Sequence, residues 1–100
     1  MQVPTGRIEQ RVAKAEVVEL LRVDELPTKK EAAITENVSP RGARVITDSL
    51  CAPGKVVRLV APGGHRKLSA RVIYCERLGE GKFAVGLRLS VRVEDWQEPH

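Results

Sequence analysis

Hydrophobic positions in this chain recur every second residue more often than every third or fourth, the spacing of strands with one buried face. The clearest run is 68–75, where Leu68, Ala70, Val72 and Tyr74 alternate with Ser69, Arg71, Ile73 and Cys75. It predicts a strand whose first set faces the core. Phe83, Val85, Leu87 and Leu89 likewise share one face, with Ala84, Gly86 and Arg88 on the other. Val12 to Arg22 is mixed: Ala13, Lys14, Ala15 and Glu16 suit a helix, whereas Val12, Val17, Val18, Leu20 and Leu21 suit a strand. The surrounding pattern places a strand there. Glu31–Val38, Ala43–Thr47 and Lys55–Val60 supply three more.

Turn chemistry separates these runs. Ser39-Pro40-Arg41-Gly42 has Pro second and Gly fourth, as a type I turn prefers. Pro53–Gly54 and Pro62-Gly63-Gly64 bracket one strand, and Gly79-Glu80-Gly81 makes a further turn. Asp24–Lys30, with Pro27 and Lys29-Lys30, reads as a connecting loop. Six short strands at fairly even spacing predict an all-β fold, an antiparallel barrel or sandwich. Residues 1–11 are polar, carry Pro4 and Gly6, and read as an arm before the body at 12–89. In the tail, 90–100, Ser90 to Trp96 predicts one helical turn capped by Ser90, with Trp96 plugging an end of the barrel.

Composition narrows the picture. One hundred residues make a single domain, and with 42% hydrophobic but 3% aromatic residues the core must be aliphatic. A net charge of +4 favours anionic partners without naming one. Cys51 and Cys75 lack metal-ligand spacing and read as thiols in a reducing compartment. No apolar run occupies Met1 to Arg11 and none approaches the ~20 residues that span a bilayer, so a cytoplasmic domain without membrane insertion is expected. Nothing suggests catalysis, a metal or a cofactor. His65 sits at a hairpin tip without triad partners, and the glycine loops match no phosphate-binding fingerprint.

Two patterns remain. Arg7 and Arg11 form an Arg-x-x-x-Arg pair, which eleven arginines produce about once by chance; Arg88 and Arg92 are a second such pair, taken as coincidental. Asn37-x-Ser39-x-x-Gly42 is rarer, arising by chance in about one such sequence in eighty. Alone it would be a tight turn, because Asn, Ser and Gly suit turns for local reasons.

In combination the two patterns resemble the PilZ domain family: an arginine pair before the first strand, then the Asn/Ser/Gly motif at a hairpin of a small barrel. Phe83-Ala-Val-Gly86-Leu-Arg-Leu89 is similar to that family's closing strand. The resemblance runs from Gly6 to about Leu89. It implies a six-stranded antiparallel Greek-key barrel that binds cyclic di-GMP and is not an enzyme. Arg7 and Arg11 would meet the guanines and phosphates, Asn37, Ser39 and Gly42 would lie on the barrel wall beneath a guanine, and Arg41 would add charge. The chemistry is apt, since a guanidinium pairs bidentately with guanine O6 and N7 or clamps a phosphate. Gly42 lets backbone approach closely without a Cβ.

Asn37 stands where many members have Asp and offers one acceptor oxygen, so weaker binding is expected. Gly6 stands where members often have a bulkier or basic residue, which leaves open one ligand or a stacked pair. The arm, mobile when its arginines repel, would fold over the barrel on binding and present a surface to a downstream protein partner. Two other readings stand beside this one. The first is a PilZ-like adaptor with weak or no ligand binding. The second is a nucleic-acid-binding barrel, disfavoured because Tyr74, Phe83 and Trp96 are too few for base stacking.

Overall fold

The computed structural model describes residues 12–23, 28–61, 67–91 and 93. They form seven strands: β1 (Val12–Ala13), β2 (Val17–Arg22), β3 (Lys29–Ser39), β4 (Gly42–Thr47), β5 (Val56–Val60), β6 (Lys67–Gly79) and β7 (Lys82–Leu89). All pairings are antiparallel, in the order β1-β3-β2-β5-β6-β7-β4, and β4 returns to β3. That return closes a barrel and removes the free edges an open sheet would expose. β1 and β2 both lie against β3 and act as one interrupted strand, so the barrel has six staves. β4 lies beside β7 although β5 and β6 intervene in the chain, which is the Greek-key connection.

The interior is aliphatic, as composition requires. Leu20 and Leu59 are fully buried with Val18, Val45, Val57, Val72 and Val85, and Phe83 joins the same cluster. Cys51, in the β4–β5 connection, is buried in it too, whereas Cys75 packs against its edge; both are free thiols. The helix-like residues Lys14 to Glu16 form the break between β1 and β2. The Thr35 hydroxyl spans it, accepting from the Glu16 N–H (2.9 Å) and donating to the Lys14 carbonyl (2.5 Å). A buried side chain thus supplies hydrogen bonds that the interrupted ladder lacks.

Two expectations need correction. Lys29 and Lys30 belong to β3, which is eleven residues long and starts before Glu31. β6 runs thirteen residues, and its period of two fails at Ile73. There the register jumps from Val72↔Leu87 to Tyr74↔Gly86, a β-bulge that turns Tyr74 outward and Cys75 towards the core. Ala84 and Gly86 keep to the face opposite Phe83 and Val85 as expected, and both are buried, Gly86 beneath the Tyr74 ring. Trp96 and most of the expected helical turn lie outside the described residues; among those described, Ser90, Val91 and Val93 are not helical.

The β6–β7 hairpin closes through Glu80 and Gly81, both with positive φ (52° and 77°), between the paired Gly79 and Lys82. Two positive-φ residues give the twist that matches antiparallel strands, and glycine adopts it without cost.

Candidate functional site

The motif hairpin is held from below. Ser39 pairs with Gly42, leaving Pro40 and Arg41 as the loop. The Arg41 carbonyl accepts from the Leu89 N–H at 2.8 Å and the Pro40 carbonyl from the Val93 N–H at 2.6 Å. The turn is thereby fixed to the end of β7. Gly42 has a packing reason to be glycine: a Cβ there would sit 2.6 Å from the Leu87 carbonyl oxygen. Close approach is required here by β7, whatever else approaches from outside.

Outward-facing residues of β3, β4, β7 and β6 fall into cross-strand rows. One row is Ser39, Gly42, Arg88, Arg71 and, on β5, Val56. The next is Asn37, Arg44, Gly86 and Tyr74. Between them lies a pocket of about 440 Å³, within the range of small-molecule sites. Ser39, Arg41 and Gly42 line one side, Ile73 and Tyr74 the other, with Gly86, Leu87 and Arg88 completing it. The Ile73 bulge gives the pocket its second wall by aiming two consecutive side chains outward.

Tyr74 lies over Gly86, whose missing Cβ is what makes room: an added one would come 2.1 Å from the ring. Its hydroxyl accepts from Arg44 Nη1 at 3.0 Å, and the same guanidinium reaches Glu36 Oε1 at 2.5 Å and Glu76 Oε1 at 3.2 Å. The hydrogen bond to Tyr74 first, and that to Glu36 second, raise the Arg44 pKa above its ordinary value. Arg44 is held as a cation with its charge answered. Glu36 owes its position to a bulge in β3 between Thr35 and Asn37.

Of the residues singled out from sequence, the fold brings Ser39, Gly42 and Arg41 into the pocket. Asn37 is not among the lining residues; it sits one row away, opposite Arg44 and Ala13. Arg7, Arg11 and Arg92 lie outside the described residues. Ile73, Tyr74, Gly86, Leu87 and Arg88 line the pocket without having been singled out from sequence, and of these Tyr74 and Arg88 carry polar chemistry. Tyr74 was placed in the core because the bulge left no signal in the alternation, and Arg88 was set aside as half of a coincidental pair. Its position in the outward set of the closing strand was the signal available for Arg88. Among the described residues no His, Cys, Asp and Glu cluster is placed to hold a metal, and no helix is long and apolar enough to cross a membrane.

Compared with known sequences, residues 7–98 match the family model described as PilZ domain. No curated protein matches the chain.

Proposed function

Because the chain belongs to the PilZ domain family, we propose that it is a cyclic di-GMP receptor whose binding surface is the pocket around Ser39 and Gly42. One observation carries the reading: two residues of the motif that the family resemblance assigns to the ligand, Ser39 and Gly42, supply a wall of a pocket with Arg41 and Arg88 at its rim. The ligand offers two phosphodiester charges and two guanines, so it suits a surface combining guanidinium groups with close backbone approach. Ser39 and Gly42 would lie beneath one guanine and Arg41 beside it. Asn37, a row away, would reach the base edge from β3 and bind it less firmly than a carboxylate.

Arg7 and Arg11 would complete the site from the arm. The first described residue, Val12, pairs with Val38, which stands between Asn37 and Ser39 in the chain. The first strand position therefore stands beside the motif. Binding of a dianion would neutralise the two arginines and order the arm across the pocket, creating the surface a downstream protein reads. The role is recognition rather than catalysis. As a receptor for an intracellular messenger the domain would work in the cytoplasm.

Hydrogen exchange followed across residues 1–11 tests the switch. Slower exchange with cyclic di-GMP present is expected. Equal exchange with and without a saturating ligand would remove arm ordering from the account and leave a rigid receptor.

A further inference from the structure

The row that begins at Ser39 ends in an electrostatic conflict. Arg88 on β7 and Arg71 on β6 are directly opposed, and both point outward, since their neighbours Leu87, Leu89, Ala70 and Val72 are buried. Side chains so paired stand roughly 5 Å apart at Cβ, where like charges destabilise a sheet. Four other cations of the barrel are answered, Arg44 by Glu36 and Glu76, Arg22 by Glu31, Lys82 by Asp48 and Lys14 by Glu16; what sets Arg71 and Arg88 apart is that they oppose each other at the pocket. Among the described residues, neither Arg71 nor Arg88 has an ion-pair partner. Arg71 donates only to the Gly54 carbonyl, at 3.0 Å. The row itself, Ser39, Gly42, Arg88, Arg71 and Val56, contains no carboxylate.

An unrelieved pair at the edge of a pocket is a local rule broken where a function can repay it. We infer that Arg71 and Arg88 form an anion subsite continuous with the pocket, taking a phosphodiester of the bound dinucleotide on the side away from Asn37. Arg88 reaches it from the pocket rim and Arg71 from the adjacent strand. A phosphate between two guanidinium groups converts their repulsion into two charge-assisted contacts. This subsite rests on the cyclic di-GMP reading and extends it: a preformed patch of the barrel would hold one phosphodiester of the ligand. It also gives the site a phosphate contact that depends on no residue of the recognised motif.

The test is calorimetric titration of cyclic di-GMP into the wild type and into Arg71→Ala, Arg88→Ala, Arg88→Lys and Arg58→Ala, with the melting temperature of each free protein. Arg88→Ala and Arg71→Ala should each weaken binding about tenfold, the size of one charge-assisted contact. Arg58→Ala removes an equal charge from a different row, opposite Ser69, and should change affinity less than about twofold, as a remote charge does in salt. Arg88→Lys should stay within about threefold of wild type, because a phosphate accepts a point charge whereas a guanine edge needs the fork. Free Arg71→Ala and Arg88→Ala should melt no lower than wild type. Unchanged affinity in both alanine variants would overturn the subsite while leaving the receptor reading intact. Loss in Arg88→Lys as deep as in Arg88→Ala would overturn the phosphate assignment. Wild type that binds no cyclic di-GMP would overturn the receptor reading and the subsite together.

Discussion

Arg44 and Arg88 stand on the same face of the same barrel, in adjacent rows, and their surroundings differ sharply. Arg44 is enclosed by Glu36, Glu76 and the Tyr74 hydroxyl, so its charge is spent inside the protein. Arg88 faces Arg71 and the pocket, and its charge is available. What separates them is mostly backbone. The bulge at Glu36 brings a carboxylate to Arg44, the bulge at Ile73 brings Tyr74, and neither reaches the next row. Counting arginines therefore says little about where an anion binds. The useful quantity is which cations the fold leaves unanswered.

The largest expected effect sharpens that contrast from outside the barrel. Arg7→Ala and Arg11→Ala should each cost about 1–3 kcal/mol of cyclic di-GMP binding, as a lost bidentate contact does, whereas Arg44→Ala should leave affinity nearly unchanged. Titration of the three variants decides it. If Arg44→Ala weakens binding as much as the arm variants, attraction is diffuse and the distinction between spent and available charge fails.

The two glycines that bracket the pocket come next. Gly42→Ala drives a Cβ into the β7 backbone, which cannot yield, and should cost about 2 kcal/mol of folding stability. Gly86→Ala meets the ring of Tyr74 first, a side chain that is exposed enough to swing away. It should cost about 1 kcal/mol, at the low end of overpacking. Urea unfolding of both tests the order, and a costlier Gly86→Ala would mean that the Tyr74 lid is as rigid as the barrel wall.

Smaller again is the network itself. Because Glu36 and Glu76 are about half exposed, Arg44→Ala should destabilise by only about 0.5–1 kcal/mol. Arg88→Ala should be neutral, or stabilise by a few tenths of a kcal/mol (roughly the size of a weak cross-strand term). Denaturation midpoints in low and high salt would show the two moving in opposite directions as salt screens each interaction.

The smallest effect is a control distant from the pocket. Burial pushes the Cys51 thiol's pKa up, against the opposing influence of Arg22, whose Nη2 lies 3.0 Å from the sulfur. The folded protein then keeps this proton to higher pH than the unfolded chain does. Its contribution to stability is full below the unfolded thiol value, about 8.5. It is lost as pH rises past that value towards the higher folded one. Cys51→Ala should flatten the alkaline decline in the unfolding midpoint, and an unchanged slope would assign the decline to other groups.

Much of the fold was legible in the sequence because Gly and Pro punctuate it and the strands between them alternate. The Ser39–Gly42 hairpin is the clearest case, since its local turn chemistry and its register agree. What escaped was what a bulge does. Tyr74 sits at an even position in a faultless alternation of Leu68, Ala70 and Val72, yet one extra residue at Ile73 puts it outside. No residue type announces that slip; it is set by the pairing with Gly86, a contact distant in sequence. Arg88 was hidden differently, because its significance depends on Arg71 across the ladder and on the absence of a carboxylate beside it. Ser39, Arg41 and Gly42 were found because motif and pocket coincide there, whereas Asn37, equally visible in the motif, stands one row off.

The central claim is that this barrel receives cyclic di-GMP, and calorimetric titration of the wild-type chain at physiological salt tests it most directly, with GTP and single-stranded DNA as controls. Saturable binding of cyclic di-GMP with neither control competing is the predicted result, and the stoichiometry distinguishes one ligand from a stacked pair. Absence of heat from cyclic di-GMP at millimolar concentration would contradict the claim and leave the barrel as a protein adaptor. Binding of DNA in its place would make the basic rim a nucleic-acid surface.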